Sequence, residues 1–247
     1  MRRELFCRLC GKLYRIETSG EENLEGLREH LETGSAIVCW NHICDDDLPI
    51  LLTPFLSRVG KWIRRMIVPV SRWHWDLKRD PPSALMMRLA PIIGLQILPV
   101  VQHYERDLYP PEHIFSLDRR FVKASHQVLA MPGGVILFAP EGHRSEDGRL
   151  QQPQKGVEFL LKLAGRKGFN TKLFLIGIEP KGRYTRGINI GREFAVHFGP
   201  LLTKEEINRL ASELNSSLAQ VVMRGIASLL PERMWNPQLD LIPLPGG

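Results

Sequence analysis

Short apolar runs alternate with segments of helical spacing along most of the chain, and this alternation constrains the fold more than any other feature. Strand-like runs occur at "KLYRIETSG" (12–20), "AIVCW" (36–40), "LQILPVV" (95–101), "VILFAP" (135–140), "KLFLIGI" (172–178) and "REFAVHFGP" (192–200). Helical spacing marks "NLEGLREHLE" (23–32), a segment from an aspartate cluster to Gly60, a short helix at Leu85–Pro91, "FVKASHQVLAM" (121–131) and "VEFLLKLAGRKG" (157–168). Thr203 and Glu206 then form a capping box that opens a C-terminal helix, with Ile207, Leu210, Leu214, Leu218, Val222, Ile226 and Leu229 along one face. Strands alternating with helices predict a single-domain α/β fold with a mostly parallel central sheet flanked by helices. No linker or repeat divides the chain. N-terminal helix and strand elements fill 1–35, the core with the notable motifs 36–200, and a C-terminal helix and tail 201–247.

In sheets of this kind ligands collect beyond the carboxyl ends of the strands. Two polar groups stand at such positions. In "AIVCWNHICDDDLPIL" (36–51), helix grammar explains the aspartates, which favour caps and first turns, and Pro49, which is tolerated there. It does not explain His42. In a continuous helix His42 and Asp47 would lie about 140° apart. They meet only if His42 sits on the loop before the helix and Asp47 reaches back from its first turn. Such a pair makes a general base, the carboxylate fixing one imidazole nitrogen and leaving the other free. The alternative is a surface histidine beside a helix cap. The second motif, "LFAPEGHRSEDGRL" (137–150), offers a strand end, a turn at Gly142, and Glu141, Arg144 and Ser145 nearby. Arg144 has the forked donor set that suits a phosphate, and Lys155 before the next helix adds a cation beside helix N–H groups.

Charge is unevenly spread. The net charge is +6, and residues 58–79 alone carry that excess, so the rest of the chain sums to zero. The segment holds Trp62, Arg64, Arg65, Arg72, Trp73 and Trp75, which reads either as an anionic-membrane surface or as a solvated basic face with core tryptophans. The most apolar stretch (85–101) is too interrupted for a spanning helix, and no signal peptide is visible. These features predict a cytoplasmic protein, peripheral on the inner face of the membrane. Cys7, Cys10, Cys39 and Cys44 all lie in the first 44 residues. Cys7 and Cys10 make a C-x-x-C that, with His42 nearby, allows a zinc site, which would remove His42 as a base. The second pair is not spaced as a zinc knuckle, so the four read chiefly as small buried hydrophobes and no metal is expected.

Taken together, the motifs resemble those of the glycerolipid acyltransferases, the family that includes 1-acylglycerol-3-phosphate acyltransferase. "NHICDDD" matches the N-H-x4-D pattern, and "FAPEGHRS" resembles F-P-E-G-T-R-S with one residue inserted. "SLDRR" (116–120) resembles the F-I-D-R block, and "FLIGI" (174–178) falls at a short apolar strand of the family. The resemblance runs from about Tyr14 to Pro200 and implies an O-acyltransferase. His42 would take a proton from a glycerol hydroxyl, with Asp47 orienting it, and the hydroxyl would attack an acyl thioester without an acyl-enzyme. Arg119, Glu141, Gly142, Arg144 and Ser145 would hold the phosphate of a lysophosphatidate-like acceptor, with Lys155 a further candidate. The donor would be acyl-coenzyme A or an acyl-acyl carrier protein, a substrate and not a cofactor, and no nucleic-acid partner is implied. His143, Cys44 and Leu175 depart from the family's threonine, serine and proline, and His113 stands near a missing glycine.

Overall fold

The computed structural model describes residues 2–75, 87–88 and 90–237. Seven strands form one sheet: β1 (Arg15–Ser19), β2 (Ser35–Trp40), β3 (Arg65–Ser71), β4 (Leu95–Val100), β5 (Gly134–Phe138), β6 (Thr171–Lys181) and β7 (Glu193–Leu202). Their order is β1-β7-β6-β2-β5-β3-β4. The five strands from β6 to β4 are mutually parallel, while β7 pairs antiparallel to β6 and carries β1 parallel to itself. Every residue of β2 is buried, as a continuous apolar run in the middle of a parallel sheet requires.

Helices cover the sheet: α1 (Arg2–Leu13), α2 (Asn23–Thr33), α3 (Asp47–Val59), α4 (Pro111–Leu129), α5 (Lys155–Lys167), α6 (Lys204–Glu213) and α7 (Leu218–Ala227). The α/β architecture with a mostly parallel sheet is as the alternation predicts. Helix α4 is longer than its apolar spacing suggested, because Pro111 at a first-turn position starts it ten residues earlier and takes the "SLDRR" block into its interior. The C-terminal periodicity is broken. Thr203 caps α6 as expected, but Asn215 takes a left-handed conformation (φ 45°) and Ser217 caps a second helix with Gln220. Asparagine tolerates that conformation, so "NSS" turns the chain where hydrophobic spacing alone read on. The short helix expected at Leu85–Pro91 lies partly outside the described residues, and Met87 and Arg88 within it are helical. Ala90–Ile93, its described end, is a 3-10 turn.

The basic segment contains a strand that its charge concealed. Met66, Ile67 and Val68 of β3 are buried in the core between flanking arginines. Trp62, Arg64 and Arg65 stand at the amino end of β3, and Arg72, Trp73 and Trp75 beyond its carboxyl end. Seven residues at ~3.3 Å each separate the two groups by about 20 Å. Trp62 is half-buried against the core beneath Arg28 and Lys61, and its indole N–H donates to Glu32. The six residues therefore do not share one face. Residues 76–79 lie outside the description. Among the described residues no helix is long and apolar enough to cross a membrane.

Candidate active site

Asn41 ends β2 by pairing both side-chain groups with the Ile178 backbone on β6, at 2.7 and 2.9 Å. This double bond fixes where the chain leaves the sheet and so aims the next residue. His42 lies on the loop, and its Nδ1 is 2.6 Å from Asp47 Oδ2. Asp47, at the first turn of α3, is almost wholly buried, and it also accepts the N–H groups of Ile43 (2.8 Å) and Cys44 (3.1 Å). An acceptor-only carboxylate holds the proton on Nδ1 and leaves the Nε2 lone pair free. The imidazole lines a cavity of about 630 Å³, and no described residue bonds Nε2. Of the two readings of His42, the oriented one is the geometry found.

The neighbouring aspartates diverge. Asp45 pairs with Arg144, while Asp46 is buried, accepts the Asn189 N–H, and lies beside the Tyr14 hydroxyl. Their separate partners leave no shared metal site, and no cluster of potential metal ligands occurs among the described residues. The Cys44 thiol is buried and donates to Asp47 Oδ1 at 3.2 Å. Burial, and then the Asp47 charge, push it far above the ordinary thiol value, which suits a packing group and not a nucleophile.

The second motif divides into wall and lining. Glu141 is fully buried and braces the site. Its Oε1 accepts the His42 N–H and its Oε2 the Gln151 N–H, both at 2.7 Å. Burial pushes its carboxyl up to about 8, against these two bonds, which favour the charged form. Ser145 is equally buried. Its N–H donates to the His42 carbonyl (2.8 Å) and its hydroxyl to the Arg149 carbonyl (2.6 Å). Neither side chain reaches the cavity, so the expectation that they hold an acceptor gives way to one in which they hold the histidine loop. Gly142 and Arg144 do line the cavity. Gly142 has φ 72°, and a Cβ there would meet Gln154 at 3.0 Å, so glycine serves both turn and space.

Arg119 and Lys155, also expected at the acceptor, are exposed and absent from the lining. On α4 it is Asp118 that faces in, and at the start of α5 it is Gly156. The second cation is instead Arg186, from the loop between β6 and β7. Its carbonyl accepts the Asp45 N–H at 2.9 Å, which ties this loop to the start of α3. Burial, and after it the Arg186 charge, push the Arg144 guanidinium below its ordinary value. The "KGRYTRGIN" loop (181–189) is visibly basic, but nothing local in it points to the histidine. Away from these cations the cavity runs between the sheet and α4. There Val68 and Val70, alternate residues on one face of β3, meet Ile97, Phe121 and Phe138. Arg72, Trp73 and Trp75 do not line the cavity, although His74 between them does.

The oriented His42 imidazole, two guanidiniums, the carboxylates of Asp45, Asp118 and Glu146 and a long apolar wall thus share one cavity at the carboxyl ends of parallel strands. Comparison with models of protein families and with curated proteins finds no match.

Proposed function

We propose that the protein transfers a fatty acyl group from an acyl thioester to the free hydroxyl of 1-acyl-glycerol-3-phosphate, giving phosphatidate, with His42 as general base. The observation that carries this reading is the cavity's composition. His42 Nε2 opens between an apolar wall suited to an acyl chain and the pair Arg144 and Arg186 suited to a phosphate. Arg144 pairs with Asp45 and Arg186 lies 3.9 Å from Glu146, so a phosphate between the two guanidiniums binds by taking the place of these carboxylates.

In the reaction Nε2 takes the proton of the acceptor hydroxyl, whose oxygen bonds to the thioester carbonyl carbon. The tetrahedral intermediate collapses with cleavage of the carbon–sulfur bond, and the imidazolium returns its proton to the departing thiolate. Asp47 holds the imidazole in the required tautomer and stabilises its positive charge while the proton is in transit. Cys44 takes no part, so no acyl-enzyme forms. The same atoms serve glycerol-3-phosphate or another lysophospholipid if the acceptor wall admits it.

The test is product analysis with the purified protein, labelled acyl-coenzyme A or acyl-acyl carrier protein, and a panel of acceptors. Labelled phosphatidate formed from 1-acyl-glycerol-3-phosphate is the expected result. Thioester consumption at the same rate without any acceptor would replace this reading with a thioesterase.

A further inference from the structure

Helix α1 is turned with its leucines outward. Its packed side carries Phe6, Cys7 and Cys10, and Arg3 donates there to the carbonyls of Ile63 (3.0 Å) and Ile93 (2.9 Å). Leu5, Leu9 and Leu13, spaced by four, are 58%, 54% and 41% exposed. On that exposed side they are interleaved with Arg2, Arg8 and Lys12, and Glu4 is the one acid in the helix. Helix propensity does not require this pattern, because an ordinary surface helix buries its leucines.

Exposed isoleucines stand on the segments that adjoin both ends of α1. The Arg3–Ile93 bond brings in the turn carrying Ile92, 52% exposed. At the other end the Gly191 N–H donates to the Leu13 carbonyl at 2.7 Å, bringing in the loop with Ile188 (56%) and Ile190 (58%). That loop also carries Arg186 at the mouth of the cavity. Strand β1, which follows α1, runs antiparallel to the five central strands, so the Leu13 end of α1 lies at the same edge of the sheet as His42.

We propose that α1, together with Ile188 and Ile190, docks the chain reversibly on an anionic lipid surface, with the helix lying in the interface. Charge complementarity selects this occupant. Long cationic side chains among the leucines can bury their stems with the acyl boundary and keep their charges at anionic headgroups. The core of a protein interface, by contrast, is depleted of charge. The inference is independent of the acyl-transfer reading and assigns docking to a different segment from the basic 58–79 run.

Flotation with vesicles tests it, using the full chain and either phosphatidylcholine alone or phosphatidylcholine mixed with phosphatidylglycerol. The native chain should float with the mixed vesicles, less so at high salt, and poorly with the neutral ones. The double variant Leu5→Ser, Leu9→Ser removes exposed side chains and should keep the native near-ultraviolet spectrum. It should lose about tenfold in partitioning, the consequence of withdrawing two half-buried leucines from lipid. Ile188→Ser with Ile190→Ser should show a smaller loss, and Arg64→Gln, at the amino end of β3, none. Unchanged flotation of the folded leucine variant would overturn the proposal. So would a native chain that ignores vesicles but forms a dimer which the leucine variant abolishes. Native flotation without any acyl transfer would refute only the reading of the cavity.

Discussion

The two loops that close the cavity, one after β2 and one after β5, look alike in sequence and do different work. Each begins at the end of a parallel strand and offers an acid together with a cation or a histidine. In the first, the acid faces the chemistry indirectly, through the histidine it orients: Asp47 holds His42 Nδ1. In the second, the acid is architecture. Glu141 spends both oxygens on backbone N–H groups, one of them that of His42 itself, while Gly142, His143, Arg144 and Glu146 of the same loop line the cavity. A polar residue in a motif is thus assigned by which groups it faces, and proximity to a base is compatible with never meeting a substrate.

The comparison breaks most readily at Asp47. Asp47→Asn replaces an acceptor of several bonds with a group whose amide must face a donor, and it removes the charge that stabilises imidazolium. Turnover should fall on the order of 10²–10⁴-fold, and chemical denaturation should show a loss of roughly 1–3 kcal/mol from the unpaired N–H groups of the loop. Turnover near that of the native protein would mean that His42 needs no orienting partner.

Glu141 should behave oppositely, acting on stability before turnover. Glu141→Gln sets an amide N–H against a backbone N–H and should cost about 1–3 kcal/mol in denaturant. Its carboxyl stands at about 8 when folded against an ordinary 4.5, so between these values the folded state holds a proton that the unfolded state has released. The contribution of this group to stability is therefore fully present below about 4.5 and declines as pH rises towards about 8. Denaturation midpoints across this range should fall less steeply in Glu141→Gln than in the native chain. Parallel curves would show that the carboxyl is already charged when folded.

Arg144 and Arg186 should sharpen the division by moving acceptor saturation. Loss of one charge-assisted contact, worth ~1.5–3 kcal/mol, should raise the acceptor KM about tenfold or more in either alanine variant and leave donor saturation unchanged. Arg119→Ala and Lys155→Ala, outside the cavity, should shift it less than about twofold. An acceptor effect at Arg119 equal to that at Arg144 would move the phosphate out of the cavity described. The smallest effect belongs to Cys44→Ser, whose hydroxyl can donate to Asp47 as the thiol does. It should stay active and carry no acyl adduct by mass spectrometry.

How much of this was legible in the sequence depends on distance along the chain. The His42–Asp47 pair spans five residues and a loop-to-helix turn permits it, but spacing alone left a surface histidine beside a helix cap equally open, and the motif resemblance favoured the pair. The sheet was legible because buried parallel strands are nearly unbroken apolar runs. Glu141 was expected at the acceptor and its bond to the His42 backbone went unseen, because that partner is 99 residues away and no local pattern reports it. Strand β3 was hidden for a different reason: its arginines flank only three buried apolar residues, and charge counting outweighed them. Arg186 was missed because it reaches the site through a loop whose placement is set by the β6–β7 hairpin. In α1 the periodicity of the leucines was present in the sequence, but whether they faced core or solvent was settled only by packing.

The account turns on His42 acting as a base for a bound hydroxyl. The most direct measurement is continuous detection of free thiol from an acyl thioester, with and without 1-acyl-glycerol-3-phosphate, in the native chain and in folded His42→Ala. Thiol release should require the acceptor and fall about 10²–10⁴-fold in the variant. Release that proceeds equally without acceptor, or that survives in His42→Ala at the native rate, would contradict it.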